Sequence, residues 1–264
     1  MNREPIFDAV RAMLGRGFTR AEIAALDRAC DLAEAGSDLA SPASGHRLGR
    51  LSEAFESGGR GPGTVSGGRN DPGGVSYGVY QLASKAGTCA AFLRTEGKPW
   101  AGEFGAHAPG SARFSAVWKA IAAREPERFR EAQHAFIERT HYRPAVKAVR
   151  ERTGLDLDRR VDAVRDAVWS CAVQHEKAAA LLIDAIVAAD RASDRGAPGY
   201  DRRLIEAIYD ARAAYVGKLA SNPKLKPGER KQLAAITRSR YPQERAKALA
   251  MLGAAESSVA PDRA

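Results

Sequence analysis

The chain contains no apolar stretch near the ~18 consecutive residues that a membrane-spanning helix requires. Its first apolar run, in MNREPIFDAVRAMLGRGF, is cut by Asp8 and Arg11, and no small-residue cleavage site follows. It therefore reads as lacking a secretory signal, with synthesis expected in a bacterial cytoplasm. Cysteine is scarce: Cys30, Cys89 and Cys171 are odd in number, widely spaced and free of any CxxC pattern. That gives no indication of a disulfide framework and predicts three small buried apolar residues in a reducing compartment. The five histidines (His46, His107, His134, His141 and His175) form no HExxH and no regular ligand spacing, so no metal site is expected. GRGPG lacks the GK[ST] ending of a phosphate loop, and Gly-x-Ser-x-Gly is absent. No cofactor is expected.

What is present is ordinary globular material: 264 residues, 44% hydrophobic and 28% charged. That is enough for one well-buried domain or two small ones and excludes wholesale disorder. The net charge is +9. Nine basic residues lie between Lys218 and Lys247 against only Glu229 and Glu244. Such a segment suits a polyanion, whether nucleic acid, anionic lipid or an acidic envelope polymer, and also suits a plain solvated helix surface. Tyr241 is the one aromatic residue there, which argues against stacking of single-stranded nucleic acid.

Residues 1–40 read as a helical module, with Ile6, Val10, Met13 and Leu14 at helical spacing and a Thr19-to-Glu22 capping box. GSDLASPASG, at 36–45, reads as a linker. A short helix is expected over 46–55, its apolar face formed by Leu48, Leu51, Ala54 and Phe55. Beyond residue 88 everything is helical in pattern. Phe114, Val117, Trp118 and Ile121 share one face; Phe129, Ala132, Phe136 and Ile137 share another. A long run over 162–189 reads as one central buried helix, and Gly196 to Gly199 breaks the pattern. The last helix is expected over 227–252, with 253–264 a disordered tail. The division is thus 1–40, a catalytic domain over 41–252, and the tail.

Residues 56–87 are unlike the rest. Nine of the 25 glycines fall between positions 58 and 78. A flexible linker is one reading. Against it, Val75 to Tyr80 alternates as a strand does, with Val75, Tyr77 and Val79 on one face. An irregular hairpin turning near Gly67-Gly68 fits better, with glycine permitting positive φ and close ligand approach.

Two carboxylates bracket that hairpin. Glu56 stands where the short helix runs into the loop; partial desolvation there would raise its pKa and suit a general acid. Asp71 lies fifteen positions on, and a hairpin could return it to the same cleft. Cleavage of a sugar acetal needs one carboxyl to protonate the leaving oxygen and a second to act as base, nucleophile or electrostatic partner. Asp71 in Asp-Pro-Gly-Gly also suits a turn, and the two roles are compatible. Downstream, Ser76 could hold a water, Tyr77 and Tyr80 could offer ring faces to sugar, and Gln81 could bond an N-acetyl group. Equally, the tyrosines could be core and Gln81 a cap for the next helix.

Glu56-Ser-Gly-Gly followed by Gly74-Val-Ser-Tyr-Gly-Val-Tyr-Gln81 resembles the E-S-G … G-x-x-Q arrangement of the lysozyme-like superfamily. The string GRGPGTVSGGRNDPGGVSYGVYQLASKAG, the segment DAVRDAVWSCAVQH, and the ending with Tyr209, Arg212 and SRYPQER are similar to a phage endolysin and chitosanase-like subgroup and to wall-degrading proteins carried on phage or secretion spikes. The N-terminal segment is similar to leader modules of phage-type lysozymes. The resemblance implies a mainly α (α+β) fold, with a small β-hairpin and a larger helical lobe. It implies a peptidoglycan-cleaving glycosidase with Glu56 as general acid, Asp71 as second carboxylate, Ser76 near a water-holding position and Gln81 as the motif glutamine. Cys171 and Glu176 depart from the pattern, and Glu176 would narrow or charge the far side of the cleft. Lytic transglycosylase, chitosanase-like enzyme, and basic nucleic-acid or envelope-binding module on a degenerate lysozyme fold stand as alternatives. Nucleic acid is not an obligate partner. The expected substrate is the peptidoglycan glycan strand in the periplasm, reached with a holin, a tail or a secretion spike as delivery partner.

Overall fold

The computed structural model describes Thr19 and residues 47–51, 61–68 and 73–259. The chain divides into two units, Met1–His46 and Arg47–Ala264, and the fold below is that of the second. The N-terminal helical module, the rest of its capping box and Cys30 lie outside the described residues.

The expectation of a mainly helical fold with a small β-hairpin holds. Strand β1 (Ser76–Tyr77) pairs antiparallel with β2 (Leu82–Ala83), Ser76 opposite Ala83 and Tyr77 opposite Leu82. The strand is shorter than its alternation suggests. Gly78, at φ 76°, and Gln81, at φ 55°, bend the chain between them, so Tyr80 and Gln81 sit in the turn and not on a strand. Helices follow: α1 (Thr88–Arg94), a 3-10 turn (Lys98–Phe104), α2 (Ala112–Arg124) and α3 (Pro126–Ile137). After a π turn (Glu138–Tyr142) come α4 (Arg143–Thr153), a 3-10 turn (Leu157–Arg159), α5 (Asp162–Gln174), α6 (Ala178–Ala192) and α7 (Tyr200–Ala220). The chain closes with α8 (Pro227–Ala235), a π turn (Ile236–Arg240) and α9 (Tyr241–Val259).

The predicted faces bury as their spacing requires. Phe114, Trp118 and Ile121 of α2 meet Phe129 and Phe136 of α3 and Phe92 of α1 in one aromatic core. Helix α5 is the central helix, buried on nearly every face from Ala163 to Ala172. Cys89 and Cys171 are buried free thiols, and burial pushes the first up to about 12 and the second up to about 11.

Two expectations are corrected. The run over 162–189 is two helices: His175 takes an extended conformation (φ −125°, ψ 123°), and α6 starts afresh at Ala178. The final helix runs past residue 252 to Val259. Each π turn also immediately precedes a helix with proline in its first turn, Pro144 in α4 and Pro242 in α9. Proline lacks the N–H that an uninterrupted helix would use and crowds the carbonyl four residues back; one wider turn relieves both.

The C-terminal helix is tied to α5 and α7 by a buried polar knot. Arg212 and Glu244 are both 0% exposed. Arg212 Nη2 donates to Ser170 Oγ (3.0 Å) and Gln174 Oε1 (2.6 Å), and Nη1 donates to Glu244 Oε2 (3.3 Å). Ser170 donates to the same carboxylate oxygen (2.8 Å), and the guanidinium lies over the rings of Tyr209 and Tyr241. A buried guanidinium and carboxylate are tolerable only with this many partners.

Candidate functional site

Residues 47–51 lead into the predicted Glu56 helix, and residues 50 and 51 are helical. Their start is capped from another element. The Asp166 carboxylate on α5, fully buried, accepts the Gly49 N–H (2.8 Å) and the Leu51 N–H (3.1 Å). These are among the first amides of a helix, which have no partner within it. His134 of α3 donates through Nε2 to the Leu48 carbonyl (2.6 Å) while its ring stacks on Trp169 at 4.4 Å. Gly49 (φ 83°) passes so near that indole that a Cβ would lie 2.5 Å from Nε1.

The far side of the glycine-rich loop is held as firmly. The Pro62 carbonyl accepts from Trp118 Nε1 (2.8 Å) and from Gln133 Nε2 (3.2 Å). Gln133 Oε1 accepts the Val79 N–H (3.0 Å), so one buried amide on α3 clamps both arms of the loop. Between the arms, the Ser66 N–H donates to the Ser76 carbonyl (2.9 Å), the Ser76 N–H donates to Ser66 Oγ (2.8 Å), and the Gly78 N–H donates to the Thr64 carbonyl (2.7 Å). Val65 bridges Tyr77 antiparallel. The chain thus reverses between residues 66 and 76. This is the irregular hairpin expected from sequence, and the linker reading fails for both described arms.

Glu56 and Asp71 themselves lie outside the described residues. Ser76 is buried, its backbone tied to Ser66. Tyr77 is corrected from a sugar platform to core. It is 0% exposed, its hydroxyl accepts the Gly110 N–H (2.9 Å) and pairs with Ser115 Oγ (2.8 Å), and its ring packs on Phe114 and Trp118. Tyr80, 9% exposed, turns its ring toward His134 and Trp169. Gln81 neither caps α1 nor stands free: its Nε2 donates to the Gly78 carbonyl (3.0 Å) and closes the turn that its own positive φ helps to make. A non-glycine residue in that region is uncommon and is held by its surroundings.

Asp166 and Trp169 carry no signal of their own in the sequence, and Trp118 and His134 stand out there only as a core residue and as a histidine without ligand spacing. For Gln133 the one signal was polarity at helical spacing inside an apolar face: it lies four residues after Phe129 and three before Phe136. Among the described residues no three histidine, cysteine, aspartate or glutamate side chains gather as metal ligands.

The family model described as "Type VI secretion system spike protein VgrG3-like, C-terminal" matches residues 48–235. The type VI secretion system spike protein VgrG3 of Vibrio cholerae is 40% identical over 139 residues, covering 53% of this chain. That stretch spans 13% of the Vibrio protein's length. These findings correct the assignment to a phage endolysin and chitosanase-like subgroup. The family match includes the glycine-rich hairpin and α5, but neither the N-terminal module nor the SRYPQER segment on which part of that assignment rested. Matched over more than two-thirds of its length, from the Asp166-capped entry segment to the end of α8, the chain belongs to the family of VgrG3-like C-terminal regions of type VI secretion spike proteins.

Proposed function

We propose that the chain cleaves the glycan strand of peptidoglycan, with Glu56 protonating the glycosidic oxygen and Asp71 serving as the second carboxylate. The observation that carries this reading is the double clamp on the loop. Asp166 and His134 hold the chain five to eight residues before Glu56, Gln133 and Trp118 hold it six residues after, and the two arms around Asp71 run side by side. A loop that only linked two elements would not need the buried Asp166 and Gln133, with the partly buried His134, to fix its ends. Acid-assisted glycoside cleavage requires its two carboxylates at a set separation, and anchored flanks of this kind are what such a site would need. With a second carboxylate available, water is the expected acceptor.

Digestion of purified peptidoglycan with mass analysis tests it. The wild type should release fragments whose new reducing ends carry one added water. Glu56→Gln should lose about 10²-fold or more of the rate while keeping the wild-type melting temperature. Anhydro ends would identify a lytic transglycosylase, and an active Glu56→Gln would reject the acid. Family membership supports a secretion spike, not a holin or a phage tail, as what carries the chain to the periplasmic wall.

The basic segment has a place in the same reading. Arg240 is bound to Glu244 (2.5 Å) and Arg245 to Asp210 (3.0 Å). Lys224, Lys226, Lys231 and Arg238 are exposed and enter no ion pair among the described residues. Helix α8 buries no residue. This face would hold the protein against anionic envelope polymers. Replacing the three lysines by glutamine should slow wall lysis at low salt and leave it unchanged at high salt; an equal loss at both would remove the electrostatic role.

A further inference from the structure

A pocket of about 380 Å³ opens between the π turn after α3 and the break between α5 and α6. None of the described residues of the clamped loop lines it, and its volume is within the usual range for a small-ligand site. Its deep part is made of small apolar groups, Ala145, Ala172 and Ala178, all buried. Its polar members are Thr140, His141, His175 and Glu176, and His175 Nε2 is already engaged by the Tyr241 hydroxyl (2.9 Å). No tryptophan, tyrosine or phenylalanine lines it among the described residues, so it lacks the flat ring that a pyranose stacks on.

The hydrogen bonds fix what the pocket offers. Thr140 Oγ1 donates its single proton to the Phe136 carbonyl (2.7 Å). With the hydroxyl proton on that carbonyl, the contact with His141 Nδ1 (2.7 Å) has the imidazole as donor. Burial lowers the His141 pKa, which keeps the ring neutral. A neutral ring protonated at Nδ1 presents a bare acceptor at Nε2. Glu176 is exposed and enters no ion pair among the described residues. Besides His175, which is tied to Tyr241, the pocket therefore offers His141 and Glu176 as acceptors, the second of them charged, beside alanine side chains of methyl size. It suits a short chain of alanine-sized residues that carries an ammonium group.

We propose that this pocket receives the alanine-rich, amine-bearing peptide attached to the wall glycan, so that the protein engages the peptide as well as the strand. The inference rests on the cell-wall reading above, but binding to the pocket can be measured without any cleavage. The full chain is titrated with the synthetic peptide L-Ala-γ-D-Glu-L-Lys-D-Ala-D-Ala while the His141 ring resonances are followed by NMR. The peptide should shift them saturably. Acetylation of the lysine amine, Glu176→Gln and Ala179→Leu should each weaken binding about tenfold or more, since each removes a charge-assisted hydrogen bond or fills the pocket. Both substitutions fall outside the buried core and should leave the melting temperature unchanged. No binding by the wild type, or equal binding by the variants or the acetylated peptide, overturns the proposal. So does a chitotriose that shifts the same resonances while the peptide does not. A wild type that binds the peptide yet cuts no glycan rejects the catalytic reading and upholds the pocket.

Discussion

Gly78 and Gln133 show how little freedom the loop has at the level of single atoms. Gly78 lies at φ 76°, and a Cβ there would sit 2.2 Å from Gln133 Oε1. Gly87 has nearly the same φ, 78°, but a Cβ there meets nothing within 4 Å. Gly87→Ala should cost only the backbone penalty, about 1 kcal/mol. Gly78→Ala should cost about 2 kcal/mol more, because Gln133 must leave the Val79 amide, and should impair wall cleavage as well. Urea unfolding of the two variants compares them directly, and equal losses would reject the clamp. The glycines of this loop were legible in the sequence, and so was the hairpin. The role of Tyr77 was not. Alternation tells which residues share a strand face but not which face meets the core, and Val65 lies on one side of Tyr77 with Leu82 on the other.

Helical faces were readable because their 3.6-residue period is written in the order of apolar residues; α2 and α3 follow it closely. The break at His175 was not readable. No glycine or proline marks it, and the contact His175 makes there, Nε2 with the Tyr241 hydroxyl at 2.9 Å, comes from 66 residues along the chain. The cap on the entry segment is equally non-local, since Asp166 is 117 residues from Gly49. Asn at position 166 keeps one acceptor and turns the other into a donor facing an N–H. Asp166→Asn should therefore destabilise the protein by about 1–3 kcal/mol and reduce cleavage more than a thermally matched surface variant does. Calorimetry and the digestion assay together check this; unchanged stability would show that the cap carries no weight.

Over the whole molecule, the Arg212–Glu244 knot joins α5, α7 and α9, and His175 stands beside it. Burial, then the charges of Arg212 and Arg240, push the His175 imidazole down from 6.5 to about 4. An unfolded chain takes up this proton near pH 6.5, whereas the folded one resists until near pH 4. Between those values the unfolded state binds more protons, so the His175 contribution is intact above pH 6.5 and is lost as pH falls toward 4. Melting temperatures over that window should decline in the wild type and decline less in His175→Gln. Parallel curves would exclude His175 as the cause. The two candidate carboxylates could be proposed from sequence because acid residues beside glycines have a chemical meaning on their own. The side chains that hold their loops could not, because a buried Gln or Asp acquires its meaning only from the backbone that it meets.

The bond to Pro62 has one more consequence. Proline has no amide hydrogen, and the two groups that secure its carbonyl are an indole and a carboxamide from distant helices. Deuterium uptake at backbone amides therefore records nothing of this attachment. An exchange map could show the stretch before Thr64 as labile while Trp118 and Gln133 hold it fast, and indole proton exchange at Trp118 would be the signal that reports its release.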